Sequence, residues 1–459
     1  MSLTKALNLG VQGMRASNRG ATLSSNNATN VATEGYSRRS QVQLPRSMHL
    51  GVEVGANQRR VDSYVERRLN NSRSDEQEAQ ARLESLVVLD QVLSNEAGSV
   101  GEMLDSFEAA VTSLANDPSD PAVRQALLVQ TDQLAERFNT AAESLNLARS
   151  DVNDRVRHEV SEVNDTIAEV EALTQEIGRL EHAGQDAGDL RDRRDNLVRN
   201  LADVVPVRVL EKENSYTVLM GNSIQLVSSD GGAYPLGARV DPTTGDVVVT
   251  RVMAGKEEDV TARINSGRIG GLLAARQGPL DSAQTELDQL AHDVATSYNA
   301  VHQVGFGLDG NTGRDLFEAP AAVAGYAGLI TISSDVEDQP EALAAALDPT
   351  MLPGDNRNGL ALQTLATSQI ALGGTATAST SVGSLQGFAG GAIQDAEFDQ
   401  NFAQSILHQV ESLRDSVSGV SLDEEMVAMM EYQRSFEASL RVIKTADEML
   451  NQLLSLAGR

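Results

Sequence analysis

Helical periodicity extends over most of the chain. Apolar residues recur every three or four positions through five stretches that contain neither Gly nor Pro, and each stretch predicts a helix. They run Ala56 to Ala97, Ala122 to Ile177, Leu280 to Val304, Ala392 to Ser418 and Val420 to Ala457. The second follows Ser119-Asp120-Pro121, a capping residue before a first-turn proline, and would reach about 80 Å. A helix of that length predicts an elongated rod.

Residues 203–260 change to a two-residue alternation, which is typical of strands. Four runs alternate: Val207–Leu210, Tyr216–Met220, Ile224–Val227 and Val247–Val252. Turn residues separate them at Gly221-Asn222, Gly231-Gly232 and Thr244-Gly245-Asp246. Because helical stretches flank this region, we interpret it as a small antiparallel β domain inserted at the end of a helical bundle. We assign the loop-rich residues 305–354, with the strand-like run Leu329–Ser333, to the same end.

The two termini carry matching seams with alternating spacings of four and three. The first is rich in Gly, Ser and Ala between Leu3 and Val31, and the second, from Met426 to Ala457, is apolar at eight of ten positions. These seams predict that the first and last helices pair as a coiled coil. A finished monomeric bundle is the ordinary alternative, but the small residues of the first seam bury little apolar area. We therefore expect marginal ends that become ordered on assembly.

The predicted fold is mainly α with a small inserted antiparallel β domain, in an elongated and discontinuous multi-domain arrangement. We divide the chain into three parts. They are residues 1–60 with 418–459 as the terminal helical part, 61–202 with 263–304 and 355–417 as the long-helix bundle, and 203–262 with 305–354 as the outer β-rich part.

Composition narrows the classes of function. Thirty-seven basic against 65 acidic residues give a net charge of −28, which disfavours binding to nucleic acid or anionic lipid. The sequence has no run of eighteen apolar residues, so we do not expect a membrane-spanning helix. The first 21 residues lack the apolar core of a secretory signal. Cysteine is absent. Residues 1–73, with eleven basic and four acidic side chains, favour packing on acidic helices of this or a neighbouring copy over binding an anionic surface.

No motif predicts catalysis. Gly305-Phe-Gly-Leu-Asp-Gly310 matches a dinucleotide pattern, which needs a strand before it and a helix after it. Here a predicted helix precedes it and a loop follows, so a nucleotide site is disfavoured. Asp309 begins a calcium-like spacing whose twelfth position is Pro320 rather than Glu, which favours a tight turn. The six histidines are scattered. We therefore predict no enzyme, no cofactor and no metal site.

A motif after the first helix resembles a known family signature. Ser25-Asn-Asn-Ala-Thr-Asn-Val-Ala-Thr-Glu-Gly-Tyr-Ser-Arg38 is similar to the N-terminal signature of the bacterial flagellar rod and hook axial proteins. Further patches resemble the hook-associated protein 1 family, which joins hook to filament. They are Leu190–Leu197, Gly267–Leu273, Ser297–Phe317, and Gly419–Glu425 through Tyr432-Gln433 and Arg441–Ile443 to Ala446-Asp-Glu-Met449.

The resemblance implies a non-catalytic structural protein, exported through the flagellar type III apparatus and polymerised outside the cell at the hook–filament junction. Implied partners are further copies of the chain, hook protein, a second junction protein, filament subunits and an export chaperone. The expected assembly residues are Leu3, Leu7, Met14, Asn26, Asn27, Asn30, Gly35, Tyr36, Met426, Met430, Phe436, Leu440, Ile443, Leu450 and Leu454. Alternatives are another axial component of hook or distal rod type, or a ligand- or calcium-binding protein using the 305–315 loop.

Overall fold

The computed structural model describes residues 3–45, 52–93, 98–212, 215–221, 223–229, 232–253 and 255–457. The predicted turn residues Asn222 and Gly231, and the predicted helix end at 94–97, lie outside the described residues. No helix among the described residues is long and apolar enough to cross a membrane.

Ten α-helices and nine strands make up the described part of the chain. The helices are α1 (Leu3–Thr29), α2 (Ser63–Leu93), α3 (Val100–Asn116), α4 (Pro121–His182), α5 (Gly188–Val204), α6 (Gly267–Ala275), α7 (Asp281–His302), α8 (Arg357–Thr364), α9 (Ala378–Ser418) and α10 (Leu422–Ala457). The strands are β1 (Arg39–Pro45), β2 (Val52–Arg59), β3 (Val207–Lys212), β4 (Ser215–Met220), β5 (Ile224–Ser228), β6 (Gly232–Ala233), β7 (Leu236–Val240), β8 (Val247–Met253) and β9 (Lys256–Asp259).

The longest helix, α4, confirms the prediction made from its cap and its periodicity. The Asp120 carboxylate accepts a hydrogen bond from the Ala122 amide at 2.7 Å, and Pro121 occupies the first turn. Its 62 residues span about 93 Å. The seam from Val156 to Ile177 is buried, because this stripe faces the neighbouring helices and the β domain. The protein is therefore elongated.

A continuous apolar core joins α2, α3, α4 and α7. Phe107 on α3 is fully buried, with its ring edge-on to Tyr298 at 4.8 Å and tilted against Phe317 at 5.8 Å. Leu104 and Leu134 are also fully buried. Large side chains of this kind bury much apolar area, which stabilises the bundle.

The β domain consists of antiparallel strands, as the alternation predicted. Strands β3 to β6 form one sheet in sequence order, and β7 to β9 form a second. Side chains of α4 hold the β domain in place. Arg149 donates two hydrogen bonds to the Asp246 carboxylate at 2.7 and 3.0 Å, and Asn164 exchanges hydrogen bonds with the Leu236 backbone.

The β1–β2 hairpin was not predicted from the sequence, where helical spacing was assigned from Ala56 onward. Its strands are antiparallel, with Arg39 opposite Arg59 and a bulge between Gln41 and Gln43. Each strand carries only a short alternation, Gln41–Leu44 and Val52–Val54, which the sequence analysis did not use. Ion pairs to α5, described below, hold the hairpin against the rest of the chain.

The assignment of residues 305–354 to the β-rich part is corrected by their contacts, which go to helices. His302 on α7 accepts a hydrogen bond from the Ala344 amide, and Asn139 on α4 donates to the Ala327 and Ile330 carbonyls. The run Leu329–Ser333 is not a strand and makes one isolated bridge, between Phe317 and Ile332. The backbone groups of this segment are satisfied by turns and isolated contacts within it, such as the Glu318 amide to the Thr331 carbonyl, and by side chains of the helices.

A buried arginine anchors the same segment. Arg124 on α4 is 1% exposed and donates to the carbonyls of Pro118 at 2.6 Å, Pro340 at 3.1 Å and Leu343 at 2.8 Å. Desolvation lowers the pKa of its guanidinium to about 10, so it stays charged at neutral pH. Removing it would leave three carbonyls without this donor.

Helix α9 begins fourteen residues earlier than predicted and runs through Gly383, Gly387, Gly390 and Gly391. Glycine inside a helix costs about 1 kcal/mol relative to alanine. The opposite face of α9 is buried against the bundle at Val382, Leu385, Ala389 and Ala396, chiefly on α2, and this packing offsets the cost.

Candidate assembly interface

The first and last helices pack against each other, and glycines set their separation. A Cβ added at Gly10 would lie 2.6 Å from Ile443 Cγ1, and one at Gly20 would lie 2.3 Å from the Tyr432 ring. Since residue 10 meets residue 443 and residue 20 meets residue 432, the two helices are antiparallel. The close approach requires residues without a side chain on α1. The predicted pairing of the terminal helices is therefore confirmed.

The buried stripe of α10 is narrower than the expected assembly set. It consists of Met429, Tyr432, Phe436, Ser439, Ile443, Ala446 and Leu450, all partly or fully buried. The expected residues Phe436, Ile443 and Leu450 thus belong to the seam inside one chain. The expected set did not include Met429, Tyr432, Ser439 or Ala446. A stricter 3-4 register applied to small residues as well as large ones would have found Ser439 and Ala446.

The other expected residues of α10 point outward. Met426, Met430, Leu440 and Leu454 are 54%, 51%, 43% and 68% exposed. Helical geometry places them on one side of the seam, and for antiparallel helices this is the side on which α1 presents Leu3, Leu7 and Met14. These last three side chains are partly buried. We call these seven residues the outward flank.

The β1–β2 hairpin lies beside one end of the helix pair, on the side opposite the outward flank. An open polar groove of 510 Å³ lies between them and is lined by Leu23, Arg38, Gln58, Ala428 and Tyr432 among others. The hairpin therefore adjoins the pair near Leu23 and Ala428, whereas among the described residues Met426, Met430, Leu440 and Leu454 of the outward flank are exposed.

The Asn-rich motif makes hydrogen bonds within its own chain. Asn27 is 1% exposed, and its Oδ1 accepts from the Tyr36 hydroxyl at 2.9 Å and from the Arg39 amide at 3.2 Å. Its Nδ2 donates to the Arg39 carbonyl at 2.9 Å. Desolvation raises the pKa of Tyr36, which keeps the proton on its hydroxyl. The helix end, the turn and the first strand are thus fixed to one another by one side chain.

Two further members of the motif also act within the chain. Asn30 Nδ2 donates to the Asn26 carbonyl at 2.8 Å, while the Asn26 side chain is exposed. Gly35 has φ of +74°, and a Cβ there would lie 1.7 Å from Asn196 Oδ1 on α5. Glycine is required at this turn both by its backbone conformation and by the space available.

The basic N-terminal region is paired with acidic residues of its own chain, as the charge distribution favoured. Arg39 contacts Asp189 at 2.5 Å and Asp192 at 2.8 Å on α5. Arg59 contacts the same Asp192 and also Asp195. These pairs fix the hairpin to α5.

A second ion pair connects the hairpin to the terminal helix. Arg38 contacts Glu425 at 2.7 Å and Glu424 at 2.5 Å at the start of α10, and Glu425 is 2% exposed. Partly buried pairs of this kind fix geometry more than they add free energy. Together with Asn27, they set the angle at which the helix pair leaves the bundle.

The loop considered for ligands is held by its own groups. Desolvation raises the pKa of Asp309, but hydrogen bonds from Arg314 at 2.5 Å and Asn311 at 2.8 Å lower it to about 2. The Asp309 carboxylate is thus already hydrogen-bonded within a turn. No cluster of three or more His, Cys, Asp or Glu that could hold a metal ion occurs among the described residues.

Two family models match the chain. Residues 86–317 match the model described as "Flagellar hook-associated protein FlgK helical domain", and residues 414–456 match "Flagellar basal body rod FlgEFG protein C-terminal". The first spans α3, α4, the β domain and α7. The second spans nearly all of α10, which carries half of the helix pair.

Relatives align along most of the chain. The "Flagellar hook-associated protein 1" of Salmonella typhimurium is 25% identical, over 99% of this chain and 100% of the relative. The protein of that name from Bacillus subtilis is 24% identical, over 94% of each. The flagellar hook junction protein FlgK from Burkholderia pseudomallei has a similar fold, with a TM-score of 0.69 at 16% identity over 77% of this chain and 100% of that chain.

Proposed function

The chain belongs to the flagellar hook-associated protein FlgK family, and from this premise we propose that it joins hook to filament through its paired terminal helices. It is a structural component of the bacterial flagellum. In the proposed assembly, many copies polymerise between hook and filament, with the outward flank of each copy packed against neighbouring subunits.

The observation that supports this proposal is the exposure of the outward flank. Met426, Met430 and Leu440 are each more than 40% exposed on the side of the helix pair that the hairpin leaves open. A row of large apolar side chains on one side of a helix pair is typical of a surface that becomes buried on association. The seam beneath it is already filled, so the flank is available to other subunits.

The proposal includes a three-part division of the chain. Residues 1–60 with 418–459 form the assembly part, and residues 203–262 form an outer β domain. The remainder, including residues 305–354, forms the bundle, a grouping supported by the hydrogen bonds that Arg124, Asn139 and His302 make to that segment.

Partners and location follow from the family. The chain assembles in the flagellum with other axial proteins. We infer further that hook protein, a second junction protein and filament subunits contact it, that an export chaperone accompanies it, and that it leaves the cell by the flagellar type III route. We also infer that it catalyses no reaction. The match of α10 to a rod-protein model keeps a rod or hook role as the alternative.

Complementation of a deletion strain tests the function. We expect the deletant to make hooks without filaments, and wild-type protein to restore filaments seen by electron microscopy. Leu440→Asp should fail to restore them, because it places a charge on the outward flank. Leu147→Asp is the matched control, since Leu147 is 64% exposed on α4, and it should restore filaments fully.

The proposal is wrong if hooks of the deletant carry normal filaments. Failure of Leu440→Asp counts only if the purified variant melts within about 2 °C of wild type, as expected for an exposed position. If the variant restores filaments while remaining folded, the outward flank is not the assembly surface.

A further inference from the structure

A fully buried histidine lies beneath the loop of residues 305–315, away from the assembly surface. His302, the last residue of α7, is 1% exposed, whereas the other histidines whose exposure the structure describes are half-buried or exposed. A buried imidazole needs a partner for each ring nitrogen, because a buried polar group without a hydrogen bond costs free energy. Both partners of His302 are backbone groups.

The ring of His302 joins two separate segments. Its Nδ1 lies 2.8 Å from the Arg314 carbonyl in the loop, and its Nε2 lies 2.9 Å from the Ala344 amide. A carbonyl can only accept a hydrogen bond and an amide N–H can only donate one, so Nδ1 carries the proton and Nε2 carries none. The closed arrangement therefore requires the neutral ring.

The loop has little apolar anchorage of its own. Residues 309–313 are exposed, and Phe306 and Leu308, its large apolar residues, are only partly buried. Backbone hydrogen bonds attach the loop to residues 341–346 and to the Gln303 carbonyl. Each bond of this kind contributes about 1 kcal/mol. The two contacts of His302 are therefore a substantial part of what keeps the loop closed.

The surroundings of the ring disfavour a second proton. Burial lowers the pKa of His302, and the cationic side chains of Arg314 in the loop and Arg124 on α4 act in the same direction. The hydrogen bond to the Arg314 carbonyl and the Asp315 carboxylate raise the pKa, but they do not outweigh burial. Helix α8 meets Ala344 through Asn358, which is uncharged. Further charged residues on these elements interact with Arg124, with Arg314 or with each other, and they are Asp309, Glu341, Asp355 and Arg357.

We propose that His302 is an acid-sensitive latch, which holds residues 305–315 closed at neutral pH and releases them when its Nε2 takes a proton from solvent. The protonated Nε2 and the Ala344 amide are both donors, so the hydrogen bond between them is lost. Release of the loop brings the charged ring into water. Leu316 and Phe317, which follow the loop and are fully buried, keep the rest of the segment on the bundle.

The sign of the pH dependence follows from the two forms of the loop. In the open form the ring has its ordinary pKa of about 6.5, whereas in the closed form burial lowers that pKa. The closed form is therefore most stable above pH 6.5, and the opening constant rises by up to about tenfold for each pH unit below it. Between pH 7 and pH 5 the rise is at most about 25-fold. Glu108 acts in the opposite sense, since its protonated form is favoured in the folded bundle.

Hydrogen exchange of the full-length chain, followed by mass spectrometry at pH 7 and pH 5, tests the latch. After correction for the intrinsic pH dependence of amide exchange, peptides from residues 305–315 and 341–346 should lose protection at least about fivefold at pH 5. A peptide from residues 130–170 of α4 should keep its protection. Unchanged protection of the loop overturns the proposal.

Two histidine variants assign the response to one ring. The amide of His302→Gln can donate to the Arg314 carbonyl and accept from the Ala344 amide but does not titrate, so the difference between the two pH values should disappear. His292→Gln, on the same helix, is the matched control and should keep the wild-type response. A pH response that survives in folded His302→Gln overturns the proposal.

Asp315→Asn gives a test that leaves the histidine in place. Its amide oxygen can still accept the hydrogen bond from Gln303, but the charge that favours the protonated ring is gone. We expect the pH at which the loop opens to fall. A midpoint that stays the same or rises means that a group other than His302 controls the opening.

Discussion

The bundle core and the terminal helix pair are both helical, but they bury very different side chains. The core holds fully buried large residues such as Phe107, Leu104 and Leu134. In α1 the buried residues are Gly10, Ala16, Ser17, Gly20, Leu23, Ser24 and Asn27. Among the residues whose exposure the structure describes in α10, only Glu425 and Ala446 are buried.

The comparison shows that contacts which fix the arrangement of two helices need not contribute much to their stability. Close approach of backbones in the helix pair sets a definite register, but small side chains remove little apolar area from water. The bundle has both close packing and large buried areas. We therefore expect the core to be stable alone and the ends to gain stability from neighbouring subunits.

The largest expected effect is in the core. Phe107→Ala should lower the free energy of unfolding by about 3–5 kcal/mol, since it removes a ring packed on Tyr298 and Phe317. Phe436→Ala in the half-exposed helix pair should cost less than about 1.5 kcal/mol. Urea unfolding followed by circular dichroism measures both. Equal losses would mean that the two regions are equally stabilised by their packing.

Gly20→Ala tests the close approach of α1 and α10. A Cβ at this position meets the Tyr432 ring, so we expect the pairing to weaken by roughly 1–3 kcal/mol. The urea midpoint of the core should not change. In wild type we expect limited proteolysis to remove roughly the first fifty and last forty residues and to leave a core near residues 60–415. The ends of the variant should be cut faster.

Gly178→Ala is the matched control for that change. Gly178 lies in α4, and an added Cβ would have nothing within 4 Å, so alanine should stabilise the helix by up to about 1 kcal/mol. If Gly20→Ala also stabilised the protein and slowed cleavage of the ends, the close packing of the helix pair would be refuted.

A partly buried carboxyl group gives the bundle a pH dependence. Desolvation, with a smaller effect of Asp105, raises the pKa of Glu108 to about 7. The folded state therefore favours the protonated form of Glu108. The stabilisation that this protonation gives is complete below about pH 4.5 and is lost as the pH rises through 7. Glu108→Gln should stabilise the protein at pH 8 by about 1 kcal/mol, after allowance for solvent screening.

The measurement is the urea midpoint of Glu108→Gln and wild type at pH 4 and pH 8. The two proteins should be similar at pH 4 and differ at pH 8. Asp105→Asn is a useful control, because it removes the smaller influence on Glu108 and should give a smaller gain at pH 8. A gain from Glu108→Gln that is the same at both pH values would contradict the raised pKa.

The smallest effect on folding is expected at the outward flank. Leu440→Ser should change the free energy of unfolding by no more than about 0.5 kcal/mol, because the side chain is 43% exposed. Ile443→Ser, on the buried stripe three residues later, should cost more, since Ile443 packs over Gly10. Melting temperatures of the two variants distinguish flank from seam. A larger loss for Leu440→Ser would reverse their assignment.

Much of the fold was predictable because its signals are local. The cap at Asp120 and the 4-3 seam of α4 specified the long helix, and alternation specified β3, β4, β5 and β8. Local signals did not predict the segments whose conformation depends on groups distant in sequence. The β1–β2 hairpin depends on acidic residues of α5 more than a hundred positions away, and residues 305–354 depend on Arg124, Asn139 and His302.

The expected assembly residues show the same division. Their helical spacing was readable from the sequence, so Leu440 and Ile443 were grouped together. Only packing shows that Ile443 faces Gly10 while Leu440 faces solvent, because a three-residue step on a helix turns the side chain by about 60°. Asn27 and Tyr36 were expected at contacts with neighbours, and their side chains bond each other inside the chain.

The sequence by itself determined the helical class, the inserted β domain, the pairing of the ends and the family, because periodicity, turn residues and motifs are properties of neighbouring positions. The tertiary structure decided which apolar residues are buried within the molecule and which remain exposed, such as Met426, Met430 and Leu440 of the outward flank. Burial depends on what lies across from a side chain, and that partner is distant in sequence.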